Sequence, residues 1–359
     1  MQIDLVLVGF GSVARRFVRL LRERDAFLSR DHDLTTRIVA IATARHGSLV
    51  DPAGIDAVRA ADLVAAGKPL SEVGAPREAA ATHALDVIGR TAGDGRTVMV
   101  ETTILDIETG EPAASHIRAA FDRGQHVITA NKGPIACAYR ELRALAASRG
   151  LEFFFEGTVL DGIPVFNLVR ETLPGVRVTG FRGVVNTTAN FALEAMERGH
   201  ELGPAIADMQ RAGIAEADPS MDIDGWDAAA KAAALVNVLM DGDLRPADVR
   251  RTGIRGLTVA EVRGARVAGR RYKLVSSAWA EGGRIQAEVA PEQLTIDDPL
   301  AQLRGLDNAL VLRTDLLGEI VITERDGGLT ETAFALLTDL VAVRRRLGSP
   351  AGSPPRRTP

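Results

Sequence analysis

The first part of the chain alternates short, continuous apolar runs with longer segments of helical period. Strands are predicted at Ile3–Val8, Arg37–Thr43, Thr97–Val100 and His126–Thr129, and helical patterns separate them. Continuous apolar runs are typical of parallel strands that are buried on both faces. Strands that alternate with helices form βαβ units, so the pattern predicts an α/β fold with a Rossmann-type parallel sheet.

Beyond residue 150 the predicted strands and helices no longer alternate regularly. Strands are predicted at 151–155, 176–185, 271–280, 283–289, 308–313 and 318–323, and helices at 190–198, 203–212, 227–240 and 331–346. Several of these strands follow one another with no helix between them. The pattern therefore indicates a second α/β domain of another plan, with a mixed sheet.

These patterns divide the chain into four parts. We expect a dinucleotide-binding domain at 1–150 and a substrate-binding, catalytic domain at 151–315. Residues 316–347 are expected to form a C-terminal strand and helix that return to the nucleotide domain. The tail at 348–359 is rich in Pro, Gly and Ser, which is typical of disorder.

Composition excludes several classes of protein. The chain has 359 residues, 25% of them charged, and its net charge of −4 does not indicate a nucleic-acid-binding surface. No apolar run approaches the roughly 18 residues that a membrane span needs. The N-terminus lacks the features of a signal peptide, and the single cysteine, Cys137, cannot form an internal disulfide. A soluble, cytoplasmic protein is expected.

Lysine is rare in this chain. Of the 43 basic side chains only four are lysines, namely Lys68, Lys132, Lys231 and Lys273. Arginine supplies positive charge elsewhere, so each remaining lysine is a weak indication of proton-transfer chemistry, which a guanidinium does not perform.

The first strand runs into a glycine-rich turn and a helix. The segment Gly9–Ala14 reads Gly-x-Gly-x-x-Ala, in the context that a dinucleotide-binding fingerprint requires. Gly9 permits the tight turn, Gly11 lets the backbone approach a pyrophosphate, and Ala14 allows close helix–strand packing. The helix N-terminus then supplies amide donors for the anion. A plain strand-to-helix turn is the structural alternative.

The end of the second strand bears on the choice of cofactor. An enzyme that uses NAD generally carries Asp or Glu there, whereas this chain continues Thr43-Ala44-Arg45-His46. Arg45 is suited to a 2′-phosphate, so the sequence favours NADP, with NAD as the alternative.

The densest polar cluster lies at residues 213–227 and leads into an apolar helix that carries Lys231. Asp227 and Lys231 are spaced i, i+4, which allows either a surface ion pair or an oriented lysine. Because the flanking residues Ala228–Val236 carry no other charge, the helix is expected to be buried. A buried lysine needs a partner and commonly has a lowered pKa, which favours a functional role.

These segments together identify the chain as similar to the homoserine dehydrogenase family. The motifs that carry the resemblance span nearly the whole chain and read GFGSVA, ETT, GQHVITANKGP, EGTVLDGIP, GVVNTTANFAL and GIAEADPSMDIDGWDAAAK. The chain resembles the short, monofunctional form. The resemblance implies an NAD(P)-dependent oxidoreductase that interconverts L-homoserine and L-aspartate 4-semialdehyde on the route to threonine, isoleucine and methionine, and a homodimer formed through the second domain.

The resemblance also implies roles for individual residues. Lys231 matches the lysine taken as proton donor and acceptor, and Lys132 matches a catalytic lysine between cofactor and substrate. The positions that match substrate-binding residues are Glu216, Asp222 and Asp227, and Asp227 is also predicted to be catalytic, as the partner that orients Lys231. Those that match cofactor contacts, beside Gly9 and Gly11, are Phe10, Ser12, Val13, Thr102, Lys132 and Gly213. The Glu156 side chain and the carbonyls of Val159, Asp161 and Ile163 match a monovalent-cation site, usually sodium.

Two segments depart from the family pattern. Residues 186–190 read NTTAN where the family usually has NGTTN, and 325–330 read RDGGLT where it has GPGAG. Alternative functions are therefore a divergent paralogue acting on another small hydroxy-amino acid and a non-catalytic nucleotide-binding sensor. A semialdehyde dehydrogenase is a further alternative, but it needs a thiolate nucleophile, and Cys137 lacks a nucleophile motif.

Overall fold

The computed structural model describes residues 1–74, 83–211 and 218–348. Contacts divide the chain into two compact units: Met1–Pro164 with the C-terminal helix, and Val165–Gly328. The helices and strands of Met1–Pro164 are β1 (Gln2–Val8), α1 (Ser12–His32), β2 (Thr35–Ala42), β3 (Ser48–Val50), α2 (Ala57–Ala65), α3 (Ala84–Arg90), β4 (Thr97–Glu101), α4 (Ala113–Asp122), β5 (His126–Thr129), α5 (Lys132–Cys137), α6 (Tyr139–Ser148) and β6 (Phe153–Phe154).

The rest of the chain supplies the second unit and the last helix. Its elements are α7 (Val165–Asn167), β7 (Val178–Val184), α8 (Thr187–Glu197), α9 (Leu202–Arg211), α10 (Ser220–Ile223), α11 (Trp226–Leu239), β8 (Arg250–Arg251), α12 (Val259–Val267), β9 (Arg270–Glu281), β10 (Arg284–Thr295), β11 (Asn308–Thr314), β12 (Glu319–Glu324) and α13 (Leu329–Leu347). None of the helices in the described ranges is both long and apolar enough to cross a membrane.

The first unit is built on a six-stranded sheet in the order β3-β2-β1-β4-β5-β6. All its neighbouring strands are parallel except β3, which pairs antiparallel with β2. Strand β1 buries side chains on both faces, with Leu5 and Leu7 in one apolar cluster and Val6 and Val8 in the other. The continuous apolar run in the sequence is the consequence of this two-sided burial, and the predicted Rossmann-type sheet is confirmed.

The second unit contains a mixed six-stranded sheet in the order β12-β11-β7-β9-β10-β8. Its pairs are antiparallel except β8 and β10, which are parallel. Helix α11 is buried along almost its whole length, as its apolar sequence predicts. The predicted second α/β domain with a mixed sheet is therefore confirmed.

The units differ from the predicted domain limits at both ends of the second domain. The first unit extends to Pro164, because β6 pairs with β5 and the Glu156 amide donates to Asp339 of α13 at 2.8 Å. Strand β12 does not return to the nucleotide-binding unit, since it pairs with β11 in the second sheet. Helix α13 does belong to the first unit. Of the predicted tail, 349–359 lies outside the described residues.

The imidazole of His126 should make the stability of the protein depend on pH. Its Nδ1 accepts the Glu152 amide at 3.0 Å, and Nε2 lies 3.2 Å from the Gly95 carbonyl, an arrangement that needs a neutral ring. Burial lowers the pKa of His126. Below pH about 6.5 the unfolded chain therefore takes up a proton that the folded chain resists, and stability is lost as the pH falls.

We expect His126→Asn, which keeps an acceptor for Glu152, to melt at a lower temperature at pH 8 but to lose less stability than wild type between pH 7.5 and 5.5. Thermal denaturation across that range measures the difference. The exposed His200 provides the matched control, His200→Asn. A pH profile of His126→Asn parallel to that of wild type contradicts the assignment.

Candidate cofactor and substrate sites

The turn after β1 is packed directly against the chain that follows β4. Gly9 has φ of 87°, and a Cβ there would lie 2.5 Å from the carbonyl carbon and oxygen of Thr102. Thr102 also donates its amide to the Val8 carbonyl at 2.8 Å and its hydroxyl to the Gly9 carbonyl at 3.0 Å. Only glycine satisfies both the positive φ and the close approach at this position.

Gly11 lies in a different environment. It is the N-cap of α1, and a Cβ added there would meet nothing within 4 Å. Among the described residues no side chain caps this helix end, and its first turn has no acidic residue. The amide groups of α1 therefore face an open cradle with a partial positive charge, which fits the pyrophosphate of a dinucleotide. Phe10 is buried beside the cradle, and Ser12 and Val13 begin the helix.

A short hydrogen-bonded turn follows β2. The Thr43 hydroxyl donates to the Gly47 carbonyl at 2.8 Å and accepts the His46 amide at 2.8 Å. Arg45 lies in this turn with an exposed side chain. The turn thus presents a cation at the carboxyl end of β2, the edge at which an adenosine ribose is bound in this kind of fold.

Lys132 is the first residue of α5 and follows β5. The Asn131 side chain accepts the Gly133 amide at 3.0 Å and donates to the carbonyls of Thr103 and Ile104 at 3.3 and 3.1 Å. These bonds join the loops after β4 and β5. Lys132 therefore lies at the same carboxyl edge of the sheet as the glycine turn.

The predicted cation-binding segment lies within the first unit. Glu156 is 1% exposed, and the carbonyl-bearing residues Val159 and Ile163 are also buried. Asp161 has φ of 38° and accepts the Thr332 hydroxyl at 2.9 Å. In the described part of the chain no group of three His, Cys, Asp or Glu side chains is arranged to hold a metal ion. A cation here would depend on backbone carbonyls and one carboxylate.

The second unit brings together three of the predicted residues, and Asn186 links two of them. The Asn186 amide nitrogen donates to Asp222 at 2.7 Å and to Asp227 at 2.9 Å. The Lys231 ammonium donates to the Val185 carbonyl at 2.6 Å and lies 3.4 Å from Asp227. Its side chain is 17% exposed and that of Asp227 15%, so this is not a freely solvated surface pair.

Two carboxylates held by one amide influence each other. Burial and then the charge of Asp227 raise the pKa of Asp222, while hydrogen bonds from Asn186 and Thr188 act in the opposite direction. The cluster therefore concentrates negative charge beside one lysine, which suits recognition of an ammonium group. Two further predicted positions, Gly213 and Glu216, lie outside the described residues.

The sequence analysis did not assign a role to Asn186. Its oxygen caps α8 by accepting the Ala189 amide at 2.7 Å, while its nitrogen holds the two carboxylates. An Asn before a helix predicts the cap. The hydrogen bonds from Asn186 to the two carboxylates depend on the tertiary contact between α8 and the segment 222–227. Spacing along the chain does not reveal that contact.

Models of known protein families match the sequences of both units. The NAD-binding domain model of homoserine dehydrogenase matches residues 9–156, and the homoserine dehydrogenase model matches 164–341. With the parallel sheet and the open glycine turn, these matches define a nicotinamide-dependent oxidoreductase that acts on a CH–OH group.

Individual relatives agree over nearly the full length. The chain is 37% identical to a protein of Pseudomonas canavaninivorans described as an NAD(+)-dependent homoserine dehydrogenase, over 95% of this chain and 96% of the relative. It is 34% identical to a homoserine dehydrogenase of Methanocaldococcus jannaschii, with 95% and 98% coverage. The structure of a hyperthermophilic archaeal homoserine dehydrogenase in complex with NADPH superposes with a TM-score of 0.79 at 29% identity, covering 99% and 100%. This chain belongs to the homoserine dehydrogenase family.

The two glycines of the turn should respond differently to the same substitution. Gly9→Ala places a methyl group against the Thr102 backbone at a positive φ. We therefore expect the free energy of unfolding to fall by about 1–3 kcal/mol or more, and cofactor binding to be lost as well. Gly11→Ala has room in the folded protein, so its melting temperature should hardly change. The added methyl group of Gly11→Ala fills the cradle, so the Kd of this variant for the cofactor should rise at least tenfold.

Thermal denaturation and a fluorescence titration with NADPH measure the two effects. Nucleotide binding by Gly11→Ala that equals wild type would show that the cradle at the start of α1 does not receive the pyrophosphate.

Proposed function

We propose that this protein interconverts L-homoserine and L-aspartate 4-semialdehyde by hydride transfer, with NADP as the preferred cofactor. The observation that carries the proposal is the cluster in which Asn186 holds Asp222 and Asp227 beside Lys231, in a chain of the homoserine dehydrogenase family. The nicotinamide cofactor, when bound, supplies or accepts the hydride. The residues of the cluster supply charge recognition and the proton.

In the proposed reaction Lys231 acts as proton donor during aldehyde reduction and as acceptor in the reverse direction. Negative charge develops on the substrate oxygen as hydride reaches the carbon, and a positioned ammonium both stabilises that charge and supplies the proton. The Val185 carbonyl and the Asp227 carboxylate, at 2.6 and 3.4 Å, orient the Lys231 nitrogen.

The carboxylates are proposed to bind the substrate ammonium. Asp222 and Asp227 are held in fixed positions by the Asn186 amide, so little side-chain freedom is lost when an ammonium binds between them. We propose Glu216 as a further ligand of that group. Lys132, at the carboxyl edge of the first sheet, is suited to the substrate carboxylate and to the space beside the nicotinamide.

The preference for NADP is supported by the exposed Arg45 in the turn after β2 and by the lack of a carboxylate in residues 43–47. A guanidinium suits a phosphate monoester because it offers several donors in one plane. The names of the relatives refer to both cofactors: the Pseudomonas relative is described as NAD(+)-dependent, and the archaeal structure contains NADPH.

Three further features belong to the same proposal. Glu156 and the carbonyls of Val159, Asp161 and Ile163 are proposed to hold a monovalent cation, of which sodium is the first choice, and the burial of Glu156 supports this. We propose a homodimer formed by the second unit. We also propose the cytoplasm as the location, which the single cysteine supports.

The function and the role of Lys231 are tested together. Purified protein with homoserine and NADP is expected to produce NADPH, followed by absorbance at 340 nm. Lys231→Ala should lower kcat by about 10²–10⁴, the usual range for loss of a general acid–base, with little change in nucleotide affinity. Lys231→Arg should not restore the rate, because a guanidinium does not release its proton at the working pH.

Arg313→Ala is the matched control, since it removes an exposed ion pair with Glu319 on the sheet of the same unit. Its kcat should equal that of wild type. Turnover by Lys231→Arg close to wild type would remove the proton-transfer role. Absence of turnover in folded wild-type protein that binds nucleotide would favour another hydroxy-amino acid substrate or a sensor.

Cofactor choice is tested at Arg45. Arg45→Ala should raise the Kd for NADP by roughly ten- to a hundredfold, the value of a charge-assisted hydrogen bond, and leave the Kd for NAD unchanged. Arg30→Ala, at the far end of α1, removes an exposed arginine that pairs with Asp31 and serves as control. Equal losses of affinity for both nucleotides would show that Arg45 does not read the 2′-phosphate.

A further inference from the structure

Glu101 is a fully buried carboxylate at the cofactor edge of the first sheet. It is the last residue of β4, and none of its surface is exposed. Removing a carboxylate from water is costly unless hydrogen bonds or opposite charges compensate for the lost hydration. The surroundings of Glu101 therefore indicate what the carboxylate does.

Hydroxyl and amide donors surround this carboxylate. One oxygen accepts the Thr103 amide at 2.9 Å and the Thr103 hydroxyl, and the other accepts the Thr129 hydroxyl at 3.1 Å. Thr103 follows β4 and Thr129 ends β5, so one carboxylate fixes the ends of two neighbouring strands. All three groups are placed to donate to the carboxylate, and the Thr129 hydroxyl also lies 3.1 Å from the Glu101 backbone carbonyl.

In the described part of the chain, the basic side chain that lies against Glu101 is that of His116. The His116 Nδ1 is 3.8 Å from the carboxylate, is buried, and has no hydrogen-bond partner in the described part of the chain. Within the same ranges no lysine or arginine nitrogen comes within 4.0 Å of it. The hydroxyl and amide donors that hold Glu101 carry no net charge, and a charge buried away from water acts over a longer distance than a surface charge does.

The position of β4 indicates which half of the cofactor this charge faces. The glycine turn after β1 receives the pyrophosphate, and the ribose of the adenosine half is read at the end of β2. In the strand order β3-β2-β1-β4-β5-β6, β4 lies on the opposite side of β1 from β2. The nicotinamide half must therefore extend toward the ends of β4 and β5, where Glu101 and Lys132 lie.

We propose that Glu101 determines which redox form of the cofactor binds more tightly. The oxidised nicotinamide ring carries a positive charge and the reduced ring is neutral, so a fixed buried anion near the ring stabilises the oxidised form selectively. At an effective dielectric constant of about 20, two unit charges about 10 Å apart interact strongly enough to change an equilibrium by roughly tenfold. Glu101 is thus a specificity-determining residue that need not touch the substrate.

The proposal rests on cofactor binding in the proposed function, and its test needs no turnover. The Kd values for NADP⁺ and NADPH are measured by titration calorimetry for wild type and Glu101→Gln, which keeps the shape of the side chain and removes its charge. We expect the ratio of the NADP⁺ Kd to the NADPH Kd to rise roughly tenfold in the variant. If the protein binds both nucleotides but does not oxidise homoserine, the proposed function is wrong, and the Kd ratio still tests the role of Glu101.

Thr129→Val is the matched control, because it removes one hydrogen bond to the same carboxylate but leaves the charge. Its Kd ratio should equal that of wild type, whatever happens to its melting temperature. Should Glu101→Gln fail to fold, the double variant Glu101→Gln, His116→Phe gives a second uncharged form that also lacks the His116 ring. An unchanged Kd ratio in the folded uncharged form overturns the proposal and leaves Glu101 a structural role.

Discussion

The approach of the Gly9 backbone to Thr102 is the constraint on which the cofactor site depends. A Cβ at Gly9 would lie 2.5 Å from the Thr102 carbonyl, so the turn after β1 and the loop after β4 are in direct backbone contact. That loop is in turn fixed by the Glu101 carboxylate and by the Asn131 side chain. One backbone contact and these side-chain hydrogen bonds thus connect the glycine turn to the start of α5, and a change in any of them affects this edge of the sheet.

The second unit holds its polar cluster in a similar way, through one helix with polar contacts at both ends. Asn186 caps α8 and binds two carboxylates, while Glu197 at the other end of α8 pairs with the buried Arg271 at 2.6 Å. Between these two residues, the Asn190 side-chain oxygen accepts a hydrogen bond from the Lys273 ammonium. Burial and the charge of Arg271 lower the pKa of Lys273 to about 7. Buried ion pairs contribute little net stability, but they define a single position for the helix.

Elements with a strong local pattern were predictable from the sequence, and the β5 limits His126–Thr129 agree at both ends. Helix α12 (Val259–Val267) was not predicted, since a nine-residue segment with an internal glycine gives a weak helical period. The partner of β12 was also missed, because strand pairing is decided by tertiary contacts. In the candidate site, Asp227 and Lys231 follow from their spacing, whereas Asn186 contacts Asp222 and Asp227, which are distant from it in sequence.

The last helix completes the core that the first strand begins. Leu336 and Leu340 of α13 lie in the same apolar cluster as Phe17 of α1, and Arg16 is hydrogen-bonded to Thr330, 314 residues away in sequence. During synthesis on a ribosome, the strands of the nucleotide-binding unit therefore emerge before the second unit but lack part of their interior until α13 has been made. The second unit, encoded without interruption, has all its strands available earlier. The first unit is therefore the one whose folding cannot finish until α13 has emerged.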